Sequence, residues 1–315
     1  MGKIVVLFNP SSDKGRSLKK KSKVEKYLKE NRIDYDLFVS KSEDDLVRLS
    51  IEATGNYSTI VGVGGDTTFN IIVSAILKSK EKKVASLNPV FGMIGTGSAN
   101  DIVQSLSIQK IETACKAIKF GNIKKMDVGY INIKGRDESF LFLGTLSAGL
   151  STYVNLFIES FIKNHKFLAK SNLISQTLTG LVSIKKSFSN KIIPLRICLE
   201  NGDIKRDIEC SLIVFHNAPC YANGMKLNPF ASPFNRKVDC SVVNTTSFLN
   251  TFNFGMKVLR SRHIKRKEIE FVESKLFRVF SEKEIDILVD GDIIRKVKEF
   301  EISVFPGALN VLTYV

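Results

Sequence analysis

A chain of 315 residues with 47 lysines and arginines against 32 acidic residues carries a formal net charge of +15. That length allows one or two domains, and 43% apolar residues are enough to build their cores; the charge favours an anionic partner, whether membrane surface, nucleotide or nucleic acid. No apolar run approaches the roughly 20 residues of a membrane-spanning helix, and five cysteines without a CxxC pair (Cys115, Cys198, Cys210, Cys220, Cys240) argue against zinc and for reduced, structural thiols of a cytoplasmic protein.

The first apolar strand, Lys3 to Phe8, runs into Asn9-Pro10 and a polar loop through Ser17, which leaves no room for a signal peptide. A helix is expected from Ser17 to Asn31. Its early lysines (Lys19, Lys20, Lys21, Lys23) oppose the helix dipole unless an anion sits there, or else form a solvated basic face. A strand over Asp34–Val39 and a helix over Glu43–Ala53 follow. The run Ser58–Val63 then stops at Gly64-Gly65-Asp66-Thr67-Thr68, after which Phe69, Ile72, Val73, Ile76 and Leu77 repeat with helical period. Backbone N–H groups at such a strand-to-helix turn can meet a phosphate, and glycines allow close approach. Asp66 would repel a bare phosphate, so its carboxylate suggests a metal between the two. Alone, a Gly-Gly-Asp turn is an ordinary β-turn. A second junction of the same kind, Val90–Ile94 into Gly95-Thr96-Gly97-Ser98-Ala99-Asn100-Asp101, puts two aspartates at one edge of a parallel sheet, where ligands of open α/β sheets bind. Ile108–Phe120 reads as a helix stopped by Gly121.

After residue 128 strand patterns take over: Tyr130–Ile133, Ser139–Leu146, Ile192–Leu199, Ile208–His216, Val238–Asn244, Lys275–Phe280 and Ile285–Val289. They indicate a largely antiparallel domain. An insert at 151–190 looks helical, with Phe157, Phe161 and Phe167 among lysines; a packed helical pair is favoured over a membrane-contacting element. The strongest basic cluster, Lys257 to Lys267, fits anionic lipid, nucleic acid phosphates or a solvated loop equally. The three histidines are too scattered for a ligand set, and His216 reads as structural.

In order along the chain, Asn9-Pro10, Gly64-Gly65-Asp66-Thr67-Thr68, Gly97-Ser98-Ala99-Asn100-Asp101-Ile102, Asp127-Val128-Gly129, Ser147-Ala148-Gly149-Leu150, Asn217 with Tyr221 and Gly224-Met225, Pro229 with Ala231, and Asp290-Gly291-Asp292 resemble the motifs of the bacterial diacylglycerol kinase catalytic family, related to sphingosine and ceramide kinases. No single motif is decisive; the ordered set is specific. The resemblance implies a Rossmann-like (phosphofructokinase-like) α/β domain over 1–127, a β-sandwich lipid-binding domain over 128–299, and a last strand within 300–315 that returns to the first domain. It implies ATP and Mg²⁺: Asn9, Gly64, Gly65, Asp66, Thr68, Gly97, Ser98 and Asn100 around the nucleotide, Asp66, Asp101 and Asp127 on the metal, and Asp66 and Asp292 as catalytic residues, Asp292 standing at the general-base position. The implied partners are nucleotide and a lipid hydroxyl, most naturally that of diacylglycerol, at an anionic membrane surface, in a peripheral cytoplasmic enzyme compatible with a homodimer and with no nucleic acid bound. The chain departs from the family at Thr67, where a glycine is usual and where a β-branched residue would resist a positive φ, at Ile71, at Asp292 for Glu, and at Asn235, in a segment near the family's structural metal that keeps only Asp239. The rival readings are a kinase of the NAD kinase or phosphofructokinase type, a non-catalytic lipid- or nucleotide-binding relative, and a basic nucleic-acid binder.

Overall fold

A computed structural model of the protein describes residues 2–81, 88–137, 139–156 and 194–314; most of the insert expected at 151–190 lies outside them. The first half comprises β1 (Ile4–Phe8), α1 (Lys21–Glu30), β2 (Asp36–Val39), α2 (Glu43–Asn56), β3 (Thr59–Gly64), α3 (Asp66–Glu81), β4 (Val90–Gly95), α4 (Asp101–Ser105) and α5 (Ile111–Phe120). β1 pairs in parallel with β2 and β3, and β3 with β4. β1 is buried along its whole length, as expected for a parallel strand with helices on both faces. One core gathers Val6, Leu28, Leu46, Ile60, Phe69 and Phe91.

The second half is an antiparallel β-sandwich built from β5 (Asn122–Ile133), β6 (Ser139–Phe142), β7 (Thr145–Gly149), β8 (Leu195–Asn201), β9 (Ile204–Cys210), β10 (Leu212–His216), β11 (Cys220–Tyr221), β12 (Met225–Lys226), β13 (Val238–Val243), α6 (Phe248–Leu259), β14 (Ile269–Ser274), β15 (Leu276–Val289) and β16 (Asp292–Thr313). Its own core includes Leu146, Phe215, Phe277 and Phe300. A third, smaller cluster, with Leu227, Phe254 and Val258, holds α6 to β10 and β13.

Two long strands link the halves. β5 and β16 run antiparallel from Thr313↔Asn122 to Phe300↔Ile133, broken by a bulge between Phe305 and Leu309. Past the bulge, Asn310 and Val311 pair in parallel with Val90 and Phe91 of β4, so β16 joins the parallel strands of the first half to the antiparallel strands of the second in one hydrogen-bonded sheet.

Several expected elements have different bounds. The helix expected from Ser17 starts at Lys21, behind a 3-10 segment Ser12–Lys20 in which Asp13, Lys14 and Gly15 take positive φ. The expected strand Ser139–Leu146 is split into β6 and β7, because Leu143, Gly144 and Thr145 turn their N–H groups to a side chain, that of Asp290, rather than to a ladder. Ile208–His216 is split at Ser211, whose N–H and hydroxyl both bond Val243 C=O. Lys275–Phe280 and Ile285–Val289 are one strand, β15, with register shifts between them. No helix was expected over α6, although Ser247 caps it by accepting from Asn250 N–H.

Candidate functional site

The three strand-to-helix junctions of the first half meet at one edge of the sheet. Asn9, after β1, donates its amide to Thr68 Oγ1 on α3 at 3.0 Å. Gly64 leaves room for this: a Cβ there would lie 2.4 Å from Thr68 Oγ1. Ser17 and Thr96 share a hydrogen bond of 2.7 Å, and Lys20 Nζ donates to Thr96 C=O at 2.7 Å. The lysine that seemed ill-placed at a helix start thus reaches across to the third junction.

Gly65 and Gly97 lie backbone to backbone. A Cβ on Gly97 would stand 2.5 Å from Gly65 Cα, and one on Gly65 would stand 3.3 Å from Ser12 Oγ. Neither glycine has a positive φ; they are required for close approach. Here α3 begins, so its free N–H groups and positive dipole end face the cradle formed by Ser12, Gly65 and Gly97. Thr67 is exposed in the first turn of α3 and has no positive φ. The expected conflict at Thr67 does not arise, because the turn is already helical there. Ile71 packs on the first core.

Asn100 takes a left-handed conformation (φ 57°) and donates its amide to Gly97 C=O, fixing the Gly97 loop. Its side chain does not cap α4. Asp66 does so instead, accepting from Asp101 N–H at 2.9 Å and Ile102 N–H at 3.1 Å. Burial pushes the Asp66 carboxyl up to about 6 against the pull of these donors. Asp101 in turn accepts from Asn223 and Gly224 N–H, clasping the β11–β12 turn of the second half.

Asp127 has N–H partners of its own. Buried on β5, it accepts from Arg236 N–H at 2.6 Å and from Gly307 N–H, inside the β16 bulge, at 2.7 Å. It therefore pins the point at which β16 passes from one half to the other. Among the described residues no group of three acidic, histidine or cysteine side chains gathers to hold a metal ion by protein ligands alone; one or two carboxylates with water and substrate phosphates are the usual seat of Mg²⁺. In the segment near the family's second-domain metal, Asn235 Nδ2 donates to Asp239 Oδ2 at 3.0 Å, and Lys237 pairs with Glu273.

The residue that sequence reasoning passed over is Asp290. With Gly291 it forms the two-residue turn closing the β15–β16 hairpin, both at positive φ. Its carboxylate accepts from Leu143, Gly144 and Thr145 N–H at 2.6, 3.0 and 2.9 Å. It accepts also from Asn70 Nδ2 at 3.1 Å, one helical turn beyond Asp66, and Asn70 bonds Leu141 C=O as well. Burial first, and the negative charge of Asp66 second, lift Asp290 to about 7. Asp292, two residues on, is exposed at the head of β16. The Asp-Gly-Asp spelling pointed to this turn; which aspartate faces inward depends on the hairpin.

This pair gives a pH signature. Asp290 holds a proton in the folded chain that the unfolded chain, near 3.8, releases. Its stabilisation is complete below the unfolded value and disappears as pH rises through 7. Buried His216 works oppositely: pushed down to about 3, it favours the fold above 6.5, and that contribution is lost as pH falls. Wild type compared with Asp290→Asn isolates the first effect. The melting-temperature advantage of wild type should shrink by about 2–4 °C between pH 5.5 and 8, from roughly 1–2 kcal/mol. Parallel curves would show that Asp290 does not titrate there.

Comparison with known proteins agrees with this architecture. The family model described as the diacylglycerol kinase catalytic domain matches residues 3–131, and that of the YegS C-terminal NAD kinase beta sandwich-like domain matches residues 169–313. The protein named "Putative lipid kinase YtlR" of Bacillus subtilis is 21% identical over 98% of both chains. A diacylglycerol kinase of Staphylococcus haemolyticus is 22% identical over 91% of this chain and 81% of its own. A diacylglycerol kinase crystal structure from Bacillus anthracis shares the fold, with a TM-score of 0.68, 17% identity and coverage of 99% of this chain and 96% of that one. The chain thus carries, in the expected order, a diacylglycerol kinase catalytic domain and a YegS C-terminal NAD kinase beta sandwich-like domain, the pairing that fits its similarity to bacterial lipid and diacylglycerol kinases.

Proposed function

We propose that the protein is an ATP-dependent lipid kinase that transfers the γ-phosphoryl group to a lipid hydroxyl, with diacylglycerol as acceptor and phosphatidic acid as product. The observation that carries this reading is the Gly65–Gly97 cradle at the start of α3, set beside the half-buried Asp66. Phosphoryl transfer asks the protein mainly for positioning and charge stabilisation. The N–H groups at the start of α3 bind the phosphates, with Gly65, Gly97 and Ser98 as cradle and Asn9, Gly64, Thr68 and Asn100 holding its shape. Asp290 has its oxygens engaged by four donors and acts by position, holding the β6–β7 junction against α3. The lipid hydroxyl oxygen attacks the γ-phosphorus, the bond to the β-phosphate oxygen breaks, and the hydroxyl proton passes to Asp292.

The test is incubation of the purified chain with labelled ATP and a panel of acceptors in mixed micelles, NAD included. Labelled phosphatidic acid is the expected product. Label on NAD alone would move the chain to another kinase class. ATP binding without any labelled acceptor would favour a non-catalytic relative, a reading to which the helical Thr67 lends no support. Within the same assay, Asp292→Asn should lower turnover roughly 10²- to 10⁴-fold, since an amide accepts no proton. Asp292→Glu shows whether the site is built around the shorter carboxylate: a drop indicates that it is, and a rise that the native residue falls short. Equal rates in all three proteins would remove Asp292 from the mechanism.

A further inference from the structure

Helix α6 has two apolar faces. Phe254 and Val258 point inward to the small cluster on β10 and β13. On the other side Leu249, Phe252, Met256 and Leu259 fall at helical spacing of three and four, in one stripe. Leu249 is 60% exposed, Phe252 48% and Leu259 62%. A single exposed leucine needs no explanation, but an apolar stripe along an already packed helix does.

The chain leaving this stripe is strongly basic. Arg260, Arg262, Lys265, Arg266 and Lys267 are exposed, and none forms an ion pair with a described residue. Lys257 is the exception, paired with Glu268 at 3.1 Å. The turn is nevertheless well held. His263 is buried within it, bonds Leu227 C=O through Nε2 at 2.9 Å and lies edge-on to Phe254. The apolar stripe and the cations are thus displayed on a firm support.

We infer that the outer face of α6, with the basic turn Arg260–Lys267, is a docking surface for an anionic lipid bilayer. An apolar stripe flanked by cations suits the boundary between head groups and acyl chains, where both features contribute. Nucleic acid would use the cations but not Leu249 and Leu259. The surface is also joined to the candidate site. Leu227, beneath α6, lies three residues from Gly224, whose N–H binds Asp101. The inference rests on the lipid-kinase reading only for its purpose; the surface itself is defined by α6.

The experiment is co-sedimentation of the full chain with vesicles of phosphatidylcholine alone or with 30% phosphatidylglycerol, at low and high salt. Two variants are compared: Leu249→Glu with Leu259→Glu, and Arg260→Gln with Arg262→Gln, Lys265→Gln and Arg266→Gln. All six positions are exposed, so both variants should melt as wild type does. Each should bind anionic vesicles at least ten-fold more weakly, and wild type should favour anionic over neutral vesicles and release as salt rises. Unchanged binding in the leucine variant would overturn the proposal, as would duplex DNA binding that the leucine variant retains while vesicles fail to bind. Phosphorylation of a short-chain, fully dissolved diacylglycerol is measured alongside. Its absence in wild type would count against the lipid-kinase reading and leave the vesicle result intact. Equal activity of wild type and variants on it, with loss on vesicle-embedded lipid, would place the defect in docking.

Discussion

Gly97→Ala should abolish measurable nucleotide binding and lower the melting temperature, although it adds one methyl group. The new Cβ would stand 2.5 Å from Gly65 Cα and 2.9 Å from Asn100 Oδ1. The first contact is backbone, at the start of β3's own turn, and cannot rotate away. The two junctions must separate, and with them the N–H groups proposed to bind the phosphates. Forced overpacking of this kind costs typically 1–3 kcal/mol, which in a chain of this size is a fall of several degrees. The affinity loss should exceed what stability predicts, because a displacement near 1 Å at a positioned site can cost roughly 10²-fold. Gly255→Ala is the control: mid-helix in α6, with nothing within 4 Å of its Cβ position, it should stabilise by about 0.5–1 kcal/mol. Isothermal titration with ATP and thermal melting of both variants decide the matter. Wild-type affinity in Gly97→Ala would mean that the cradle does not hold the nucleotide.

Asp66→Asn should lower turnover by roughly 10²- to 10⁴-fold. The residue does two things, and the variant separates them. As a cap on α4 it accepts two backbone N–H bonds; Asn keeps one acceptor and turns an amide N–H towards the other donor. That loss costs about 1–3 kcal/mol, so a modest fall in melting temperature is expected. As a half-buried carboxylate at the first residue of α3, Asp66 also supplies charge that Asn lacks. If turnover falls only in proportion to folded protein, Asp66 is a cap and nothing more. If it falls by orders of magnitude in a protein that melts within a few degrees of wild type, the charge takes part in phosphoryl transfer.

The sequence by itself determined the alternation of strands and helices before residue 121, since apolar period and glycine punctuation are local. It determined too that the turns after β1, β3 and β4 share one sheet edge, because parallel strands joined by helices can end nowhere else. Only the tertiary structure decided what the aspartates do. Asp66, Asp101 and Asp127 look alike in a motif, yet Asp66 caps α4, Asp101 clasps Gly224, and Asp127 secures a strand bulge opposite Gly307. Their partners are N–H groups between 35 and 180 positions away, and no local pattern records such a pairing. Asp290 was hidden for the same reason: its N–H donors come from Leu143–Thr145, which the alternation of side chains marked as strand. Thr67 erred in the other direction, because a helix starting one residue earlier removed the strain its branching implied. Helix α6 was missed because both of its faces are apolar, which blurs the periodicity that reveals a surface helix. Its outer stripe becomes legible only once Phe254 and Val258 are seen to occupy the inner face.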